Sequence, residues 1–102
     1  MWVGIISLFP EIFKPFLKFG VLGRGVHSGL IKIDFWNPRD FSDDLNGAVD
    51  DKPYGGGPGM VMKAQPIFSA IEAAKKERGK DLHVVYLSPQ GSPLNQSALK
   101  NF

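Results

Sequence analysis

No cysteine occurs among the 102 residues, which removes disulfides, thiolate nucleophiles and thiolate metal sites. Histidine is almost as scarce. His27 and His83 are the only two; they lack ligand-like spacing, and His27 reads as a surface residue rather than a metal ligand. No apolar run approaches the roughly 18 residues that span a bilayer, and the start Met1-Trp2-Val3-Gly4-Ile5-Ile6-Ser7 lacks the basic segment of a signal peptide. These absences fit a cytoplasmic protein. A strong excess of one charge is missing too: twelve Lys and Arg stand against ten Asp and Glu, a formal +2, with a pI near 9.0. Nucleic acid is thereby permitted as a partner without being demanded.

What is present is a globular composition, 43% hydrophobic, enough for one domain that buries roughly 60–70% of its unfolded surface if complete. The charges are segregated. Residues 34–51 carry six aspartates against Arg39, whereas from Lys52 onward seven bases meet three acids. Between these regions lies Val49-Asp50-Asp51-Lys52-Pro53-Tyr54-Gly55-Gly56-Gly57-Pro58-Gly59-Met60. Bare glycine backbone lets a flat ligand approach the N–H groups closely, while Pro58 stiffens the stretch. A phosphate-binding P-loop is excluded, since Met60-Val61-Met62-Lys63 follows where Gly-Lys-Ser/Thr should open a helix. The dinucleotide fingerprint fails as well, because an acidic segment precedes the glycines and Pro58 interrupts them. A linker and a binding loop both remain open. Asp43, Asp44, Asp50 and Asp51 could be assembled into a magnesium site, but solvated charge accounts for them more simply.

Residues 2–8 form a continuous apolar run that reads as a strand buried on both faces. Pro10 and Pro15 then punctuate short helical turns ending at Gly20, with Phe13, Phe16 and Phe19 assigned to the core. Residues 23–29 read as a short helix stopped by Gly29, and residues 30–36 as a strand by their partial alternation. Asn37-Pro38 turns the chain out, and residues 42–48 are too polar to pack. Met60-Val61-Met62 fits a short strand. Pro66 opens a helix to Arg78, with Ile67, Ala70, Ile71 and Ala74 as its apolar stripe and a basic, Gly79-ended stop. Residues 82–87 read as a second buried strand, and strand, helix and strand make a crossover unit of a parallel sheet.

In such a sheet ligands bind at the carboxyl ends of strands, which nominates residues 88–92. Serine hydroxyl, glutamine amide and bare glycine suit the edge of an uncharged ring such as a purine; a plain turn uses the same residues. Asn95 reads as the N-cap of a helix begun by Gln96-Ser97-Ala98-Leu99, and the chain then ends at Phe102 after about two turns, as in a truncated domain.

Taken together, the motifs resemble the bacterial tRNA (guanine-N1)-methyltransferases of the trefoil-knotted SPOUT superfamily. The likeness runs through Ser7-Leu8-Phe9-Pro10-Glu11, Gly23-Arg24, Asn37-Pro38-Arg39-Asp40-Phe41, the glycine-rich stretch from Val49 to Met60, and Tyr86-Leu87-Ser88-Pro89-Gln90-Gly91. Lys52 stands where arginine is common in the family, and Ser92-Pro93 where a basic pair is common.

The resemblance implies an α/β, parallel-sheet methyltransferase domain of which residues 1–102 are the N-terminal portion, with the knot incomplete and a C-terminal tRNA-binding domain absent. It implies transfer of a methyl group from S-adenosylmethionine to N1 of the guanosine 3′ to the anticodon of tRNA, supporting reading-frame maintenance, by a cytoplasmic homodimer. Tyr86, Leu87, Ser88, Pro89, Gln90 and Gly91 match a donor-binding segment. Asp50, Lys52, Gly55, Pro58 and Gly59 match the segment that lies against the methyl donor and the target guanosine, with Asp50 a candidate for guanine recognition. The general base is expected beyond Phe102, magnesium is left as an option, and no metal ligand is named. A non-enzymatic α/β module that binds RNA or a protein partner, and an inactive fragment, are the rival readings.

Overall fold

A computed structural model describes residues 1–43, 50–51 and 61–100, with side chains at all of these but 50, 51 and 61. Strand β1 (Trp2–Ile6) pairs in parallel with β2 (Lys32–Trp36), Trp2 opposite Lys32 and Ile6 opposite Trp36. Parallel neighbours need a long connection. Here it consists of two 3₁₀ turns, Pro10–Ile12 and Lys14–Leu17, followed by helix α1 (Gly20–His27). The prolines explain the turns: each sits in a first turn, where its missing N–H would bond nothing, and each prevents extension of the turn before it. Gly20, at φ +70°, makes the corner into α1, and Gly29, at φ +80°, makes the one out of it.

A second, antiparallel ladder joins β3 (Asp50–Asp51) to β4 (Val61–Met62). Helix α2 (Ala64–Arg78) follows. Pro66 is its third residue rather than its first, which costs no hydrogen bond because the first four helical N–H groups have no intrahelical partner. Gly79, at φ +120°, ends the helix, its N–H donating to the Lys75 carbonyl at 2.7 Å. A single turn, α3 (Gln96–Leu99), is capped as the sequence suggests, the Asn95 Oδ1 accepting from the Ala98 N–H at 2.8 Å.

The core lies where α2 meets the sheet. Ala70, Ala74 and Trp36 are buried, Pro38 and Pro66 fully so, with Trp2, Ile6, Phe41 and Leu82 packed around them. The indoles of Trp2 and Trp36 meet edge to face, 5.8 Å between centroids. Trp2 Nε1 donates to Asp34 Oδ2 at 2.7 Å, and the Arg78 guanidinium lies 4.7 Å from its ring centroid. Both partners suit an indole, a donor at its edge and a cation attractor on its face.

Three expectations are corrected. β1 is half-buried rather than covered on both faces, since among the described residues β2 is its only strand neighbour. Of the phenylalanines assigned to the core, only Phe13 packs, 6.1 Å from the Phe35 ring, whereas Phe16 and Phe19 are exposed. Residues 82–87 belong to neither sheet, and Val84, Val85, Tyr86 and Leu87 are exposed. The parallel pair is thus made by β1 and β2, not by strands flanking α2.

Candidate functional site

The carboxyl ends of β1 and β2 are locked together. Ser7 N–H donates to the Trp36 carbonyl at 3.1 Å, and Asn37 Nδ2 donates to the Leu8 carbonyl at 3.4 Å. Asn37 also caps the 3₁₀ turn Pro38–Phe41, its Oδ1 accepting from the Arg39 N–H at 3.0 Å. Two of the sequence motifs, at 7–11 and 37–41, are therefore neighbours across the strand ends. Gln65 then ties that turn to α2. Its Nε2 donates to the Phe41 carbonyl at 2.7 Å and to Ser69 Oγ at 3.0 Å, while its Oε1 accepts from the Asp43 N–H at 3.1 Å. Sequence reasoning missed Gln65; its only local signal is a Ser one helical turn further on.

Residues 88–91 fold as a turn. The Gly91 N–H donates to the Ser88 carbonyl at 3.0 Å, and Ser88 Oγ accepts from the Gln90 N–H at 3.2 Å. A β-carbon on Gly91 would stand 3.3 Å from that carbonyl oxygen, so the turn closes tightly over a position without a side chain. Around it is a cavity of about 580 Å³ bordered by Tyr86, Leu87, Ser88, Pro89 and Gly91, and on the far side by Leu94 and Ala98 of the α3 region. Gln90 is exposed and is not among the lining residues. Leu94 and Ala98 were not singled out from the sequence, although the Asn95 cap that places α3 beside the turn was.

The second group is reached only at its edge. Asp50 pairs with Met62 through the backbone of β3 and β4. Lys52, Gly55, Pro58 and Gly59 lie outside the described residues. So do Asp44 and the other glycines of that stretch.

A family model described as tRNA (Guanine-1)-methyltransferase TrmD matches residues 1–102. A tRNA (guanine-N(1)-)-methyltransferase of Tolumonas auensis is 57% identical over 99 residues, covering 97% of this chain and 40% of that protein. Its counterpart in Mannheimia succiniciproducens is 57% identical over 99 residues, covering 97% of this chain and 39% of that protein. Among solved structures, a tRNA (m1G37) methyltransferase from Aquifex aeolicus superposes with a TM-score of 0.85 at 31% identity, covering 99% of this chain and 45% of that one. The chain thus spans about 40% of the length of these curated relatives. The superposition shows that the chain's α/β architecture is shared with the solved structure, and the chain belongs to the tRNA (guanine-N1)-methyltransferase family of SPOUT methyltransferases.

Proposed function

We propose that this chain contributes to an S-adenosylmethionine-dependent enzyme that methylates N1 of the guanosine 3′ to the anticodon in tRNA. The observation that carries the reading is the cavity around Ser88 and Gly91 in a chain matched throughout by this family. Its volume of about 580 Å³ falls within the range of small-molecule sites, about 300–1,000 Å³.

The residues present fit the methyl donor. Tyr86 and Leu87 offer exposed apolar surface for a ring, the 88–91 turn offers backbone and hydroxyl groups for its edge, and Gly91 keeps the approach clear. Bound there, the donor would supply an electrophilic sulfonium methyl. Transfer forms the N1–C bond, breaks the S–C bond and releases the guanine N1 proton, which needs a base. Among the described residues no carboxylate lines the cavity, and the base is assigned outside residues 1–102. Asp50 is assigned to the RNA side, its carboxylate accepting from guanine N1–H and N2–H before transfer, and Lys52, Gly55, Pro58 and Gly59 are assigned to the same side. Among the described residues no group of three or more His, Asp or Glu is gathered to hold a metal ion; the side chains of Asp44, Asp50 and Asp51 lie outside them.

In this proposal residues 1–102 are the first part of the donor-binding domain, a further domain binds tRNA, and the enzyme works as a cytoplasmic homodimer. Among the described residues no helix is long and apolar enough to cross a membrane. The test supplies labelled S-adenosylmethionine and unmodified tRNA to a protein of the relatives' full length carrying this sequence. N1-methylguanosine beside the anticodon is expected; label at another base, or none, would overturn the assignment.

A further inference from the structure

The two faces of α2 (Ala64–Arg78) have different occupations. Pro66, Ala70 and Ala74 are buried, and Arg78, one turn further along the same stripe, reaches the Trp2 ring. Ser69, Glu72, Ala73 and Lys76 follow a second stripe at helical spacing, with Ala73 at its border with the core and Lys80 two residues beyond the helix end. With Lys75 and Gly79 these residues line an open groove of about 900 Å³. Among the described residues its lining carries three ammonium groups, of Lys75, Lys76 and Lys80, against the one carboxylate of Glu72.

A helix end rich in lysine is ordinarily explained by the negative end of the helix dipole. That explanation does not account for the division observed here, in which the arginine is drawn onto Trp2 while the three lysines collect around one concave surface. Three compact, well-hydrated cations on flexible stems are suited to a flexible polyanion, since each neutralises a phosphate as a point charge without fixed geometry. Gly79 adds space: a β-carbon there would meet nothing within 4 Å, so the rim between Lys76 and Lys80 is open to a bulky backbone.

We propose that this groove is a docking surface for the sugar-phosphate backbone of the RNA substrate, remote from the base that is modified. The inference rests on the proposed function, which supplies an RNA partner. It differs from the assignment of Asp50 and the glycine-rich stretch in being independent of sequence, as contacts to phosphate are.

The experiment compares tRNA binding by the full-length protein and its triple variant Lys75→Gln/Lys76→Gln/Lys80→Gln over a series of salt concentrations. Each phosphate neutralised contributes about 0.7–0.9 to the slope of log K against log salt. Two to three lost contacts should make the slope shallower by about 1.5–2.5 and lower the affinity at about 0.1 M salt by about 30- to 300-fold, with convergence near 1 M. The charge-conserving triple variant Lys75→Arg/Lys76→Arg/Lys80→Arg should retain most of the affinity. S-adenosylmethionine affinity by calorimetry should be unchanged in both. A wild-type salt slope in the glutamine variant would overturn the groove alone. Failure of the unsubstituted protein to bind tRNA at all would overturn the proposed function together with it. Equal loss in the glutamine and arginine variants would show that packing rather than charge is at stake, which also contradicts the proposal.

Discussion

Gly23, in the Gly23-Arg24 motif, is the buried residue of α1, and a methyl group there should have a calculable cost. A β-carbon at this position would stand 2.6 Å from the Lys18 carbonyl carbon and 2.9 Å from its oxygen. Carbon atoms rest at about 3.5–4.0 Å, so Gly23→Ala must open roughly 1 Å between α1 and the preceding 3₁₀ turn, backbone against backbone. Overpacking costs about 1–3 kcal/mol, and with backbone on both sides of the contact the upper part of that range, about 2–3 kcal/mol, applies. Alanine returns up to about 1 kcal/mol of helix propensity, leaving a net loss of about 1–2 kcal/mol. At a urea m-value near 2 kcal/mol/M this lowers the unfolding midpoint by about 0.5–1 M, readable from the fluorescence of Trp2 and Trp36. Gly25→Ala is the comparison. Its β-carbon would meet Ile31 Cδ1 at 2.7 Å, the far end of a side chain that can change rotamer, and the loss should be below about 0.5 kcal/mol once the propensity gain is included. If Gly23→Ala is as stable as the parent, or if the two variants lose equally, backbone contact is not why glycine stands at position 23.

Further outcomes concern the site and its support. Gly91→Val should weaken S-adenosylmethionine binding by more than about 1 kcal/mol, about fivefold, measured by calorimetry, because its β-carbon is forced to within 3.3 Å of the Ser88 carbonyl and its methyl groups enter the cavity. Asp50→Asn exchanges one acceptor oxygen for a donor and should reduce kcat/KM on tRNA by about 1.5–3 kcal/mol of transition-state stabilisation with the unfolding midpoint retained; wild-type kcat/KM would remove Asp50 from guanine recognition. Asn37→Ala should cost about 1–2 kcal/mol of stability in urea, since both the turn cap at Arg39 and the tie to Leu8 are lost.

Much of the architecture was legible locally. The apolar runs at β1 and β2, the alanine stripe and glycine stop of α2, and the Asn95 cap are each specified within a few residues of themselves. Residues 82–87 were misread because an apolar run states only that surface prefers to be covered, while pairing depends on a strand that may stand anywhere in the chain. The same holds for Phe16 and Phe19, whose exposure follows from what the surrounding turns leave uncovered. Pro66 moved from the first to the third helical position because both positions forgive a missing N–H. Of the residues that line the cavity, Ser88 and Gly91 are named from turn chemistry and the family likeness, whereas Leu94 and Ala98 join them only through the fold.

The account depends most on the methyl donor sitting against residues 86–91, and amide hydrogen exchange with and without S-adenosylmethionine addresses that directly. In the full-length protein, saturating donor should slow exchange in the peptides containing Tyr86, Leu87 and Gly91, with α2 (Ala64–Arg78) unaffected. Unchanged exchange across residues 86–94 at a donor concentration that calorimetry shows to be saturating would place the donor elsewhere and contradict the account.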